Sequence, residues 1–110
     1  MSDEERLREA LKLLAAELTA NNENDLGRMV SESASDSGRA LHEFLRSNEL
    51  WGGAGSIADQ AGMSTERAEG RRNIERALIN LGELQMSLGI NNQRTASWVE
   101  AFKSWADAGI

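Results

Sequence analysis

The chain of 110 residues contains no cysteine, no proline and no tyrosine, and it has a single histidine. Without cysteine, disulfides, thiolate nucleophiles and cysteine-based zinc sites are excluded, and a reducing compartment such as the cytoplasm is expected. No apolar run approaches the ~18 residues of a membrane helix, and the acidic N-terminus lacks the basic region of a signal peptide. The sequence therefore predicts a soluble cytoplasmic protein without membrane contact. Ten of the twelve basic residues are arginine, which favours a bacterial or phage source.

The net charge of −6 is concentrated near the N-terminus, where the first 25 residues hold seven acidic and three basic side chains. An attraction of the whole chain to nucleic acid or to anionic lipid is therefore disfavoured. The same charge favours solubility and a basic partner.

Helix-forming residues dominate the composition, with 15 alanines and 13 leucines against five isoleucines and two valines. Strands prefer β-branched residues with a period of two, and no segment shows that pattern. We expect an all-α single domain over residues 1–110, folded as a compact irregular bundle of four main helices plus one short helix. The predicted helices are Asp3–Ala20, Asp25–Asn48, Ile57–Ala61, Thr65–Leu88 and Gln93–Ala108. The second is expected to continue through a serine-rich centre.

The apolar positions recur at helical spacing and define a candidate core. Its predicted members are Leu11, Leu14, Leu18, Val30, Leu41, Phe44, Leu45, Ile74, Leu78, Leu81, Trp98, Phe102 and Trp105.

The segment IADQAGMS, residues 57–64, resembles the first helix and turn of the helix-turn-helix motif of bacterial repressors. The resemblance implies DNA binding, in which Arg67, Arg71 and Arg72 contact phosphates from a recognition helix within residues 57–76. Ala68 would be an inner position of that helix. The second half departs from the motif, because Arg71 stands where a further buried residue belongs and acidic residues alternate with the arginines. The alternative is an ordinary corner between two helices.

The stretch WGGAGS, residues 51–56, places three glycines before the short helix. Free N–H groups at a helix start bind anions, so Gly53, Gly55 and Ser56 are candidate anion ligands. The stretch lacks the Lys-Ser/Thr ending of a nucleotide-binding loop, and no strand precedes it. A tight turn under Trp51 is the alternative, in which glycine serves the backbone alone.

No residues combine into a catalytic or metal-binding motif. His42 has arginine, not histidine, four positions later, so the zinc-protease pattern is absent, and no base is available to activate a serine. We therefore expect no enzyme activity and no cofactor.

By elimination, the sequence favours a small non-catalytic protein-interaction module, acting as a regulator, adaptor or inhibitor. Its expected contact surfaces are Trp51 with the glycine-rich loop and the arginine face of residues 67–76, while exposed Trp51 or Trp105 would serve as an anchor. The expected partner is another protein, including a basic or nucleic-acid-binding one. A homodimer is the alternative partner, since leucines 7, 11, 14 and 18 form a seam that also suits a second copy. A helix-turn-helix DNA-binding regulator is the alternative function.

Overall fold

The fold is all-α in the part of the chain that the structure, a computed structural model, describes: residues 1–61 and 67–109. Within these residues there is no strand, which confirms the predicted fold class. The described helices are α1 (Asp3–Ala20), α2 (Asn24–Ala34), α3 (Gly38–Leu45), α4 (Asn48–Trp51), α5 (Ile57–Gln60), α6 (Ala68–Leu88) and α7 (Thr95–Asp107).

The start of α1 and the end of α6, the two longest helices, have ordinary helix caps. Ser2 caps α1, since its Oγ accepts a hydrogen bond of 3.1 Å from the Glu5 N–H and donates one of 3.2 Å to the Glu5 carboxylate. This pairing satisfies backbone donors that a helix start leaves free. α6 ends at Gly89, whose φ of 71° is left-handed and suits glycine. The sequence predicted both boundaries.

The predicted single helix Asp25–Asn48 is wrong, because the chain forms α2 and α3 in its place and starts α4 at Asn48. Serine side chains explain the breaks. Ser37 accepts a hydrogen bond from the Ala40 N–H and starts α3, and Ser47 accepts one from the Leu50 N–H and starts α4. Serine hydroxyls compete with the helical ladder and favour caps over helix interiors.

The core lies around α1, which packs against α2 and α6, and α7 packs against α6. The predicted leucine seam of α1 faces inward, since leucines 7, 11, 14 and 18 are all completely buried. This seam is used inside the fold and offers no surface to a second copy.

Eleven of the thirteen predicted core residues are buried, and the two exceptions are tryptophans of α7. Trp98 is only partly buried, and Trp105 is 38% exposed. Phe102, which lies between them on α7, is buried. Its ring stacks on that of Trp98 and meets that of Trp105 edge to face, both at centroid distances of 5.6 Å. In the described residues, no helix has the length and apolar character needed to span a membrane.

Candidate functional site

Trp51 lies at the centre of the core and not at the surface. Its side chain is completely buried, and its Nε1 donates a hydrogen bond of 2.8 Å to Oε1 of Gln85. The hypothesis that Trp51 is a partly exposed anchor for a partner is therefore wrong. The exposed tryptophan of the chain is Trp105.

Gln85 is a buried polar side chain that the sequence-based core did not include. Its amide nitrogen donates hydrogen bonds of 2.8 Å to the carbonyls of Leu45 and Ile90, and its oxygen accepts from Trp51. The amide of Gln85 therefore joins α6 to three other segments, namely the end of α3, the end of α4 and the turn after α6. The spacing of the sequence indicates this buried position, because Gln85 continues the apolar stripe of Leu78 and Leu81 along α6.

The glycine-rich loop is closed by hydrogen bonds within itself. The Gly55 N–H donates to Oδ2 of Asp59 at 2.9 Å, and the Ser56 N–H donates to the Gly53 carbonyl at 3.1 Å. The buried Ser56 hydroxyl donates to the Gly52 carbonyl and accepts from the Asp59 N–H. Two of the three N–H groups predicted to bind an anion therefore already have acceptors in the protein.

The loop also packs closely against α7 and against Arg94, the residue that precedes α7. Trp98 Nε1 donates a hydrogen bond of 3.0 Å to the Gly52 carbonyl, and a methyl group at Gly53 would lie 3.0 Å from a guanidinium nitrogen of Arg94. Gly55 has a φ of 88°, which favours glycine. These contacts are those of a structural turn.

The three arginines predicted as contact residues lie at the start of α6. Arg67 precedes the helix and forms an exposed ion pair with Glu69 at 3.8 Å. Arg72 is exposed and donates a hydrogen bond of 3.1 Å to the Gly109 carbonyl, which ties α6 to the end of α7. Arg71 is partly buried. The arginines therefore share one helical segment, apart in sequence from the glycine-rich loop.

The helix-turn-helix prediction agrees only partly with this arrangement. The short first helix is present as α5, but the turn at residues 62–66 lies outside the described residues. Ala68 was expected to be an inner position of the recognition helix and is exposed, whereas Gly70 is buried. The motif requires Ala68 to face inward, and α6 does not meet this requirement.

A buried carboxylate lies between α6 and α7. Glu75 is 6% exposed, and its Oε2 is buried without a hydrogen-bond partner. Burial raises the pKa of Glu75 above its ordinary value of 4.5, and the nearby charges of Arg71 and Arg72 oppose that rise. The residue lines a cavity of about 260 Å³ together with Arg72, Arg76, Ile79, Ala106 and Gly109.

A groove between α1 and α6 holds the most exposed leucine of the described chain. Leu13 is 59% exposed, while its neighbour Leu14 is completely buried. Two adjoining depressions share Leu13 and Asn80, so the groove is continuous along both helices. We call this surface the α1–α6 groove. It is lined by Met1, Arg6, Glu9, Ala10, Leu13, Glu17, Asn73, Arg76, Ala77, Asn80, Leu84 and Ser87.

The α1–α6 groove combines an apolar lining with a charged margin. Leu13, Ala77 and Leu84 are among its apolar lining residues, and Leu84 and Ala77 also pack partly against the core. Glu9 at the margin is paired with Lys12, and Arg6 is paired with Asp3. An apolar centre with a polar rim is typical of protein interfaces.

The wider depression between α1 and α2 differs from this groove. Its walls include the small residues Ala15, Ala16 and Gly27, and its margins carry charged side chains. A methyl group at Gly27 would overlap Thr19, so the two helices pack closely there. Small residues in this place serve the packing of α1 on α2. Among residues 1–61 and 67–109, no three carboxylate or imidazole side chains converge to hold a metal ion.

Comparisons with protein-family models, with curated proteins and with solved structures found no match for this chain.

Proposed function

We propose that this chain is a small non-catalytic protein-interaction module, a regulator, adaptor or inhibitor that binds another protein through the α1–α6 groove. The observation that carries the proposal is Leu13, a large apolar side chain that is 59% exposed between two helices whose other leucines are buried or partly buried. Exposed apolar surface rimmed by polar residues is characteristic of interaction sites.

Charge favours a basic partner segment. The exposed surface of α1 carries Asp3, Glu4, Glu5 and Glu9, and the first 25 residues contain seven acidic against three basic side chains. A basic segment would approach this surface faster and in a defined orientation. A net charge of −6 per chain disfavours a second copy as the partner, because like charges repel.

The dimensions of the groove suit a helix. Asn73 and Ser87 at its two ends are 14 residues apart on α6, so the groove is about 21 Å long at a rise of about 1.5 Å per residue. An amphipathic helix of about four turns would cover that length and place apolar residues over Leu13.

DNA binding through Arg67, Arg71 and Arg72 is the alternative, and it has less support. Arg67 is paired with Glu69, Arg72 is bonded to Gly109, and Arg71 is partly buried. Phosphate contacts dominate the affinity of DNA-binding proteins, and the acidic residues Glu69 and Glu75 lower the positive charge of this segment. A mobility shift on duplex DNA that weakens steeply with added salt would favour this alternative.

The test is comparative affinity capture from the host with the full chain, followed by binding measurements with the purified partner. Leu13→Asp places a charge in the groove, and Met29→Asp is the matched control, because Met29 is an exposed apolar residue of α2 outside the groove. We expect a partner that the wild type and Met29→Asp retain and Leu13→Asp loses.

The proposal predicts a loss of about tenfold or more in affinity, since an interface anchor residue contributes about 2 kcal/mol or more. A partner that Leu13→Asp binds as well as the wild type would contradict the α1–α6 groove as the binding site. Equal loss with Met29→Asp would place the contact elsewhere. Sedimentation of the wild type and Leu13→Asp tests the homodimer, which predicts a dimer that the substitution converts to a monomer.

A further inference from the structure

Glu75 is an unusual residue because one oxygen of its carboxylate, Oε2, is buried and has no hydrogen-bond partner. Its Oε2 makes no hydrogen bond, and no ion pair joins Glu75 to a cation. Nearly all buried polar groups in proteins are hydrogen-bonded, so an unsatisfied one calls for a specific explanation. Glu75 also borders the cavity of about 260 Å³ between α6 and α7.

The walls of this cavity carry both signs of charge and an apolar surface. Arg72, Glu75 and Arg76 are three and four residues apart in α6 and therefore share one face of the helix. Each arginine already donates one hydrogen bond, Arg72 to Gly109 and Arg76 to Asn73. A guanidinium has five N–H donors, so both retain donors for a ligand.

We propose that the α6–α7 cavity binds a small zwitterion, an α-amino acid with a short apolar side chain. The ligand's ammonium group donates hydrogen bonds to the Glu75 carboxylate. Its carboxylate accepts from Arg72 and Arg76, and its side chain lies against Ile79 and Ala106. This binding site lies on another face of α6 and shares only Arg76 with the α1–α6 groove that the proposed function uses.

The charges of the cavity favour a zwitterion over a simple ion. A bare cation at Glu75 would face the guanidinium groups of Arg72 and Arg76, and a bare anion at the arginines would face the Glu75 carboxylate. A ligand that carries both charges on neighbouring atoms satisfies all three side chains, through charge-assisted hydrogen bonds. The volume is below the range of roughly 300–1,000 Å³ of drug-sized ligand pockets, which favours a ligand of few atoms.

The test is a titration of the full chain with L-alanine, monitored by NMR through the backbone amide resonances. Acetate and methylammonium are matched probes, because each carries one of the two charged groups of L-alanine. We expect L-alanine to shift the resonances of Arg72, Glu75, Ile79 and Gly109 with saturation. Acetate and methylammonium are expected to leave them unchanged at the same concentrations.

Two substitutions identify the groups that bind. Glu75→Gln keeps the shape of the side chain and removes its charge, and Arg72→Gln removes one cation at the exposed margin. Each is expected to weaken L-alanine binding about tenfold, because a hydrogen bond to a charged group contributes roughly 1.5–3 kcal/mol. Arg28→Gln is the control, since Arg28 lies on α2 and pairs with Asp25. It should bind L-alanine as the wild type does.

The outcomes separate clearly. Resonances that do not move with L-alanine would overturn the proposal, and so would equal shifts with acetate, which would indicate an anion site at the arginines alone. Unchanged binding by both Glu75→Gln and Arg72→Gln would overturn it as well. If Glu75→Gln does not fold, Arg72→Gln decides, because Arg72 is exposed. Leu13→Asp, which tests the proposed function, should leave L-alanine binding unchanged, so failure of one proposal is distinguishable from failure of the other.

Discussion

Trp51 Nε1 donates a hydrogen bond of 2.8 Å to Gln85 Oε1, and both side chains are completely buried. This contact joins α4 to α6 across 34 positions of the sequence. Gln85 also bonds the carbonyls at Leu45 and Ile90, so one amide holds the end of α3 and the turn after α6 in place. A buried polar group whose hydrogen bonds are all formed favours one arrangement of the core. Removing one partner leaves the other unsatisfied.

Trp51→Phe is expected to lower the free energy of unfolding by about 1–3 kcal/mol, because it leaves the buried Gln85 oxygen without a donor. Urea denaturation measures the change. Trp105→Phe is the matched control, since Trp105 is 38% exposed and its substitution is expected to cost less than about 1 kcal/mol. Equal stability of the Trp51 variant and the wild type would show that this hydrogen bond contributes nothing net.

Gly82→Ala is expected to destabilise the protein although alanine favours helices. A methyl group at Gly82 would overlap the Val99 side chain and come within 3.2 Å of the Trp51 ring, so the Val99 side chain or α7 must shift. Overpacking of this kind costs about 1–3 kcal/mol, which exceeds the gain in helix propensity of up to about 1 kcal/mol.

Gly38→Ala is the control for this prediction. A methyl group there meets only the carboxylate of Glu4, which is exposed and can move. Thermal unfolding should show a lower melting temperature for Gly82→Ala and an equal or higher one for Gly38→Ala. A rise for both variants would contradict the close approach of α6 and α7 at Gly82.

Leu13 and Leu14 are neighbours in α1 with opposite environments, and their alanine variants are expected to differ strongly. Leu14→Ala removes a completely buried side chain and should cost about 2–5 kcal/mol of stability. Leu13→Ala removes an exposed one and should stay within about 0.5 kcal/mol. Guanidinium denaturation of both variants checks the direction in which α1 faces. Similar losses for the two would contradict the exposure of Leu13.

The pH dependence of stability is expected to change in Glu75→Gln. Burial raises the pKa of Glu75 above 4.5, so the folded protein holds this proton more tightly than the unfolded chain. Protonated Glu75 therefore stabilises the fold at low pH, and this contribution disappears as pH rises through the folded-state pKa. Glutamine stays neutral throughout.

The measurement is the difference in unfolding free energy between Glu75→Gln and the wild type. This difference should increase in favour of the variant as pH rises from about 4 to about 7. Comparing the two proteins at each pH cancels the titration of the other carboxylates. A difference that does not vary with pH, or that varies in the opposite direction, would show that Glu75 is not desolvated.

The candidate site was predictable only in part. The arginines of residues 67–76 were noticed for their charge, but the sequence does not reveal that Glu75 among them is buried. A glutamate in a helix is usually exposed, and only the packing of α7 on α6 encloses this one. Leu13 lies outside the predicted seam of leucines 7, 11, 14 and 18, so its exposure agrees with the spacing, but the spacing does not show that it lies beside α6.

The sequence by itself determined the helical class, the start of α1 at Ser2 and the end of α6 at Gly89, because capping and helix propensity act over a few neighbouring residues. It also determined most of the core, because apolar spacing decides which face of a long helix is buried. Only the tertiary structure decided that Trp51 and Gln85 meet in the interior and that Trp105 stays partly exposed. These outcomes depend on which segments pack together, and contacts between residues distant in the chain leave no local pattern to read.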